Sequence, residues 1–373
     1  MPAMKIDQIK ATVEGGAHRV RALVDGEPLW FESADVALHP SPEAFASAML
    51  IPAIARGETL TVEESLSATW LSNVSELFPV FREWWDYAEL PPQPAGVRSS
   101  EVARSNSTAL CFSGGVDSFY TLLRSGHTIN HLVFVIGFDM KLDDLTRFEA
   151  FEPSLRAAAA ATGAKPVVIR SNIREHPAFA PVSWERTHGG AMAAIGHLLS
   201  GEVGRLLVSS SRVYADNTPW GSSWRTDKFW SSERLEVVHA GAELHRSDKL
   251  REIIGEPLVR QHLRVCWENR SPSGNCGRCE KCVRTRLALL EVGELANFPI
   301  FDGEESLARH IDALPPSHSN LRVHRRLVNQ DSVSPEIKRA LRELIERTDR
   351  AKAPSASAEQ SLLRRIWSKR CNG

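Results

Sequence analysis

Apolar and polar positions alternate with a period of two along Lys5 to Val13, Arg19 to Val24 and Leu29 to Phe31, with Gly15-Gly16 and Asp25-Gly26 between the runs. That pattern predicts three short strands joined by tight turns, because glycine accepts the positive φ that a two-residue hairpin turn needs. From Ser41-Pro42 to Ile54 the spacing turns helical. It does so again from Trp70 to Leu90, where Leu71, Val74, Leu77, Phe78, Phe81 and Trp85 follow a helical period. Residues 1–90 therefore predict a small α+β N-terminal domain. The Pro- and Gly-rich run from Pro91 to Gly96 and the polar stretch up to Ser107 predict a linker over 91–107.

Beyond Thr108 short apolar runs alternate with helical segments. Strands are predicted at Thr108 to Phe112, His131 to Ile136, Pro166 to Arg170, Leu206 to Ser209 and Leu235 to His239, and helices at Asp117 to Arg124, Leu142 to Thr162 and Gly189 to Ser200. Strand, helix, strand at this spacing predicts an α/β domain over 108–300: a Rossmann-like parallel sheet with helices on both faces and ligands at the carboxyl ends of its strands. No internal repeat is visible. Residues 301–373 predict a helical, basic tail, since 317–373 hold thirteen Lys+Arg against six Asp+Glu. Within it Ile337, Leu341, Leu344 and Ile345 form one stripe of a helix from Pro335 to Arg350, and Ala351 to Ala358 reads as a flexible link.

Composition narrows the function classes. With 45 Lys+Arg against 46 Asp+Glu the formal charge of the 373-residue chain is −1, which argues against a nucleic-acid partner that would have to neutralise phosphates. The start of the chain has no apolar core and no run approaches a bilayer crossing, so the expectation is a cytoplasmic protein with no membrane partner, acting on a small-molecule substrate. A homo-oligomer is left open, and no glutaminase unit is recognisable.

One turn carries the sharpest chemistry. The strand ending at Phe112 runs into Ser113-Gly114-Gly115-Val116-Asp117-Ser118 and then into an apolar-periodic helix. Glycines allow the backbone to approach an anion, and the N–H groups of a helix start carry partial positive charge, so this turn is suited to phosphate. Ser113 and Ser118 add hydroxyls. Asp117 would repel phosphate unless it caps the helix, contacts Mg²⁺, or both. The turn is neither a Walker loop nor Gly-x-Gly-x-x-Gly.

A second feature lies 150 residues on. Of the six cysteines, Cys266, Cys276, Cys279 and Cys282 fall within seventeen residues, a spacing that suits a tetrahedral metal site. Structural Zn²⁺ is the leading reading, with an iron–sulfur centre or unmetallated thiols as alternatives. Arg278, Lys281, Arg284 and Arg286 would offset the negative charge of four thiolates. Cys111 reads as a core residue and Cys371 as incidental.

Ser113 to Ser118 resembles the signature of the PP-loop ATP pyrophosphatases at every defining position. The resemblance covers roughly residues 108–290 and implies a HUP-type parallel sheet that binds ATP and cleaves it between the α and β phosphates. It implies that the segment after the second strand, with Phe138, approaches adenine or ribose, and that Ser209 after the fourth closes the nucleotide site. Together with the later Cys-Gly-x-Cys-x-x-Cys-x-x-Arg run, the chain is similar to the 7-cyano-7-deazaguanine synthases. That similarity implies that the four cysteines bind zinc, that Lys249 matches a lysine of that family, and that a carboxylate is adenylated and then attacked by ammonia. The stretch Tyr214 to Trp230 does not align with that family's substrate segment, so a different acid is expected.

Other residues have a chemical and a bland reading. Trp220 and Trp224, with Arg225 and Asp227, could recognise a planar substrate or merely pack a loop. His188, ahead of Gly189-Gly190 at an expected helix start, could touch pyrophosphate or face solvent. Arg246 and Lys249, one helical turn apart, could meet a triphosphate or form an ordinary charged turn. The reading as a whole is an adenylate-forming ligase using ATP, Mg²⁺ and Zn²⁺, with Asp117, Lys249, Arg246 and His188 as catalytic candidates. A tRNA-thiolating enzyme and a non-catalytic ATP sensor are the rivals.

Overall fold

The computed structural model describes residues 2–99, 103–271, 274–301, 303–316 and 321–352. The chain divides into two compact units, residues 1–265 with 269–274, and residues 266–268 with 275–373.

In the first unit, β1 (Ala3–Glu14), β2 (Ala17–Val24) and β3 (Glu27–Ser33) form an antiparallel meander. Its second turn is the Asp25-Gly26 pair, both residues at positive φ (53° and 85°), as a hairpin turn matching strand twist requires. Helix α1 (Pro42–Ala55) follows, apolar around its whole circumference and buried along nearly all its length. Then come β4 (Thr59–Ser67), α2 (Ala68–Ser75), α3 (Leu77–Trp85) and β5 (Gln93–Arg98). The single helix expected over 70–90 is thus two helices. Pro79 has no N–H to give the Ser75 carbonyl and its ring crowds that group, so the ladder stops and restarts at Glu76.

The parallel half contains β6 (Thr108–Cys111), α4 (Val116–Arg124), β7 (His131–Ile136), α5 (Leu145–Thr162), β8 (Lys165–Ser171), α6 (Trp184–Leu198), β9 (Arg205–Ser209), β10 (Glu236–Ala240), α7 (Arg246–Ile253) and α8 (Pro257–His262). All ten strands join one sheet in the order β10-β9-β6-β7-β8-β3-β2-β1-β4-β5. It is mostly parallel, and β8, β7, β6, β9 and β10 make a Rossmann-like α/β arrangement whose order reverses between β6 and β9. In such sheets the crevice beyond the carboxyl ends at the reversal is where ligands bind.

The expected boundary at 91–107 is not where the chain divides. Pro94 and its neighbours form β5 at the sheet's edge, a position that tolerates a residue without an N–H. The antiparallel pairing of Phe31 and Glu32 with Ser171 and Arg170 fuses the N-terminal strands to the parallel half. Phe45 and Met49 of α1 share one apolar core with Ile195 of α6, Val208 and Trp230. A domain of residues 1–90 would leave that face of α1 uncovered.

In the second unit, α9 (Glu280–Glu291), α10 (Leu307–Asp312), α11 (Arg322–Val328) and α12 (Pro335–Lys352) follow the cysteine segment. The cysteines therefore group with the C-terminal helices rather than with the unit that holds the Ser113–Ser118 turn. Ile337, Leu341 and Leu344 are buried as their spacing predicts, while Arg339 pairs with Asp312 at 2.8 Å and Arg325 with Asp349 at 2.8 Å. The link at 351–358 and Cys371 lie, from residue 353 on, outside the described residues. Among the described residues no helix is long and apolar enough to cross a membrane.

A buried ion pair holds β5 to α1. Arg98 reaches Glu43 with Nη1 and Nη2 at 2.6 and 2.7 Å, and the Ser67 N–H donates to Glu43 at 2.7 Å. Burial alone would raise the Glu43 carboxyl, but Arg98, His197 and the Ser41 hydroxyl together outweigh it and hold it at about 2. A carboxylate with a depressed pKa stabilises the fold fully above its unfolded value and less as pH falls through the folded one. In urea titrations Glu43→Gln should cost about 2 kcal/mol at pH 7, less than for a fully buried pair because Arg98 stays part-exposed. The gap to wild type should shrink between pH 4.5 and 2, and an unchanged gap would remove the ion pair from this role.

Candidate functional site

The turn after β6 lies where the sheet order reverses. Gly114 has φ +72°, and a Cβ there would sit 2.8 Å from the Phe151 ring and 3.5 Å from the Arg264 Cβ, so only glycine fits. Arg264 N–H donates to the Gly114 carbonyl at 2.7 Å, which fixes the loop from outside. Gly115 is the N-cap of α4 and no side chain caps that helix start. The first intrahelical bond is Phe119 N–H to the Gly115 carbonyl at 2.9 Å, so the first-turn amides precede the ladder at the strand's end. Ser118 Oγ donates to that same carbonyl at 3.0 Å, while Ser113 is exposed and Val116 is buried beneath the turn.

Asp117 does not cap the helix. From the first turn of α4 its carboxylate meets Arg246 Nη1 in a short ion pair and Lys249 Nζ at 3.2 Å. Arg246 and Lys249 do reach one point from one helical face, as their spacing predicts. Lys249 is 1% exposed, and its ammonium also donates to the Ser210 carbonyl at 2.6 Å. Ser209 Oγ donates to Thr121 Oγ1 at 2.9 Å, which joins the end of β9 to α4. The result is a fixed positive pair with a carboxylate beside a glycine turn that opens a helix.

The other candidates sort differently. His188 does not open a helix: α6 begins at Trp184, and His188 is one turn in, with Nδ1 3.0 Å from the Trp184 carbonyl. The glycines after it serve packing. A Cβ at Gly189 would lie 1.9 Å from the Gly221 carbonyl oxygen, and one at Gly190 2.3 Å from that of Ser47. Burial lowers the pKa of His188, whose ring lies between Trp184 and Trp220, edge-on to the latter at 5.3 Å. Phe138 meets Trp184 edge-on at 4.9 Å, and Arg212 lies over Trp220 at 4.9 Å. These groups line the ends of β7 and β9 as an aromatic and cationic wall.

Two residues expected at the substrate are engaged elsewhere. Arg225 forms a two-pronged pair with Glu83 at 2.7 and 2.6 Å and lies over Trp84, so it ties the loop to α3. Trp224 packs edge-on against Tyr214 and stays part-exposed. Asp227 is buried and accepts from Ser222 Oγ at 2.7 Å and Ser223 N–H at 3.1 Å, with His239 Nδ1 at 2.7 Å. His239 carried no motif signal, being one polar residue in an expected strand twelve positions from its partner. Arg264 was equally silent, since its contribution is a backbone N–H.

In the second unit Cys266, Cys276, Cys279 and Cys282 bring all four Sγ atoms within 4.8 Å of one another. Two of the separations are 3.9 and 4.0 Å. Four thiolates on one ion at about 2.3 Å stand about 3.8 Å apart, so the arrangement can bind a single metal such as zinc. The Cys279 N–H donates to Cys276 Sγ at 3.3 Å, the knuckle contact that turns ligands inward. Arg286 is fully buried below the knuckle and donates to the Gly277 carbonyl at 2.9 Å, fixing its shape rather than facing solvent. Hydrogen bonds from Cys279 and Cys282 hold the Cys266 thiol down, while their sharing with Cys266 pushes Cys279 up to about 12 and Cys282 up as well.

No protein family, curated protein or solved structure matches the chain. The fold and site define a Rossmann-like α/β protein with a four-cysteine cluster able to bind a metal.

Elemental analysis should find one metal ion per chain. Cys279→Ser should abolish stoichiometric binding, and a strong chelator should lower the wild-type melting temperature but leave the variant's unchanged. Retention of a full equivalent by the variant would overturn the four-thiolate assignment.

Proposed function

We propose that the protein is an ATP-dependent, adenylate-forming enzyme of the PP-loop, HUP-type class that activates a small carboxylic acid or carbonyl compound in the cytoplasm. The observation that carries this reading is the Ser113–Ser118 turn at the sheet's reversal, faced by Arg246 and the buried Lys249 across Asp117. In this reading Gly114, Gly115 and the start of α4 hold the β and γ phosphates by backbone amides. Arg246 and Lys249 stabilise the charge that builds on the departing pyrophosphate. Asp117 aligns both cations and offers an oxygen to Mg²⁺, which neutralises the phosphates when bound.

The substrate oxygen attacks the α phosphorus in line, the bond to the bridging oxygen of the β phosphate breaks, and pyrophosphate leaves. Ammonia or another nucleophile then displaces AMP. Positioning of the reactants supplies most of the acceleration. Phe138, Trp184, His188 and Trp220 form a part-exposed cluster of mutually tilted rings at the strand ends, whose faces and edges offer stacking contacts. It suits adenine or a planar acid. Zinc in the four-cysteine cluster has a structural part in this scheme, because four thiolates leave a tetrahedral ion no open position.

Pyrophosphate release from Mg·ATP should be screened against small carboxylic acids, 7-carboxy-7-deazaguanine among them. One acid should give pyrophosphate and AMP in equal amounts. Asp117→Ala and Lys249→Met should each slow release by about 10²–10³, the usual cost of one fixed transition-state contact. ATP bound but intact with every acid would replace this reading with a nucleotide sensor.

A further inference from the structure

Two chemically different clusters flank the carboxyl ends of β6, β9 and β10 on opposite faces of the sheet. The first is the Asp117, Arg246 and Lys249 group on the side of α4 and α7. The second follows from strand register. His239 pairs with Val208, and Leu110 with Leu207, so continuing by one residue brings Cys111, Val208 and His239 level across three strands. Side chains level in a parallel sheet share a face, and Val208 packs into the core on the α6 side. Ser209, one residue on, turns instead to Thr121 of α4.

On the α6 side Asp227 and His239 form a buried pair, their side chains 1% and 7% exposed, with Nδ1 2.7 Å from Oδ2. The remaining partners of the carboxylate are Ser222 Oγ, Ser223 N–H and Thr226 Oγ1, all neutral. Among the described residues no lysine or arginine pairs with it. A carboxylate this buried needs hydrogen-bond donors, and the His239 ring supplies one of them through Nδ1. The contact fixes Nδ1 as the donor and leaves the Nε2 lone pair as the basic site of the neutral ring. Nε2 has no hydrogen-bond partner among the described residues. The carboxylate's field also reaches His188 and Cys111, which places the pair among groups lining the strand ends.

We propose that His239 accepts the proton of a nitrogen nucleophile, ammonia or a primary amine, as it attacks the adenylated carbonyl, with Asp227 as its positioning residue. The inference rests on the adenylation reading above. The nitrogen lone pair forms the C–N bond, the bond from carbonyl carbon to the adenylate oxygen breaks, and AMP leaves with that electron pair. The nitrogen's surplus proton passes to Nε2 and from there to water. A base set beside Arg246 and Lys249 would be a poor proton acceptor, and the opposite face keeps it apart from them.

The test uses full-length protein and the acid that supports pyrophosphate release in wild type. Three rates are compared: pyrophosphate release, hydroxamate formation with hydroxylamine, and amide formation with ammonium chloride. Hydroxylamine is largely unprotonated near neutrality, and the nitrogen of its adduct is acidic enough to lose the surplus proton directly to water. His239→Gln should lower amide formation by about 10²–10⁴ while the other two rates stay within about threefold of wild type. Asp227→Asn should show the same split. If it fails to fold because its loop is released, His239→Gln decides alone. An equal fall in all three rates makes the pair structural and overturns the proposal, as does wild-type amide formation in His239→Gln. Absence of pyrophosphate in wild type with every acid overturns the adenylation reading itself, and the wild-type control tells that failure from the others.

Discussion

The ammonium of Lys249 is buried where the sheet order reverses between β6 and β9, and a buried cation must be met by charge and hydrogen bonds. Asp117 and the Ser210 carbonyl meet it, one from α4 and the other from the end of β9. Those two groups come together only because the sheet reverses its order there, with β6 followed by a helix on one side and β9 laid against its other edge. The Arg246 pair, the Ser209 to Thr121 contact and the bare start of α4 all depend on the same meeting. Removing the carboxylate would leave the Arg246 and Lys249 cations side by side without the anion that joins them.

On the opposite face close backbone approach organises the structure. Gly189 and Gly190 let α6 touch the 221 loop and α1 at distances that exclude a methyl group. Gly137 does the same at the end of β7, where a Cβ would lie 1.9 Å from the Ser171 carbonyl oxygen. These contacts draw the loop of Trp220 to Trp230 down onto the strand ends. Asp227 then locks it through Ser222, Ser223 and His239. Packing on this side thus sets the position of a charged group, as the Lys249 knot does on the other.

Much of this was legible in the sequence where chemistry and local structure coincide. The Ser-Gly-Gly-Val-Asp-Ser turn, the one-turn spacing of Arg246 and Lys249 and the cysteine spacing are local patterns, and each appears in space as its spacing implies. What was not legible is non-local. Residues 93–98 read as linker because their strand character lies in their pairing with 61–67, not in a strong local alternation. The fusion of β3 to β8 is a meeting of segments about 140 residues apart, and nothing in either segment announces it. Asp227 and Arg225 were read as groups that recognise a substrate or pack the loop, and a polar loop gives no sign of which distant partner, His239 or Glu83, will claim each.

In the proposed reaction the two faces divide the work between pyrophosphate departure and proton removal from nitrogen. Departure of pyrophosphate needs fixed positive charge and is helped by nothing basic nearby. Proton removal from nitrogen needs a lone pair and is hindered by neighbouring cations, which would oppose the positive charge the ring gains. In a dry crevice such fields are weakly screened, so a few ångströms of separation matter more than they would in water. A sheet one strand thick supplies that separation without lengthening the path between the groups. His239 and Ala240 are adjacent in the chain, yet one side chain turns to Asp227, while the carbonyl of the other accepts the Ser210 N–H beside Lys249 at 2.7 Å. The alternation of side chains along β9, with Val208 in the core on the α6 side and Ser209 turned to Thr121 of α4, thus sets the two clusters on opposite faces of one sheet.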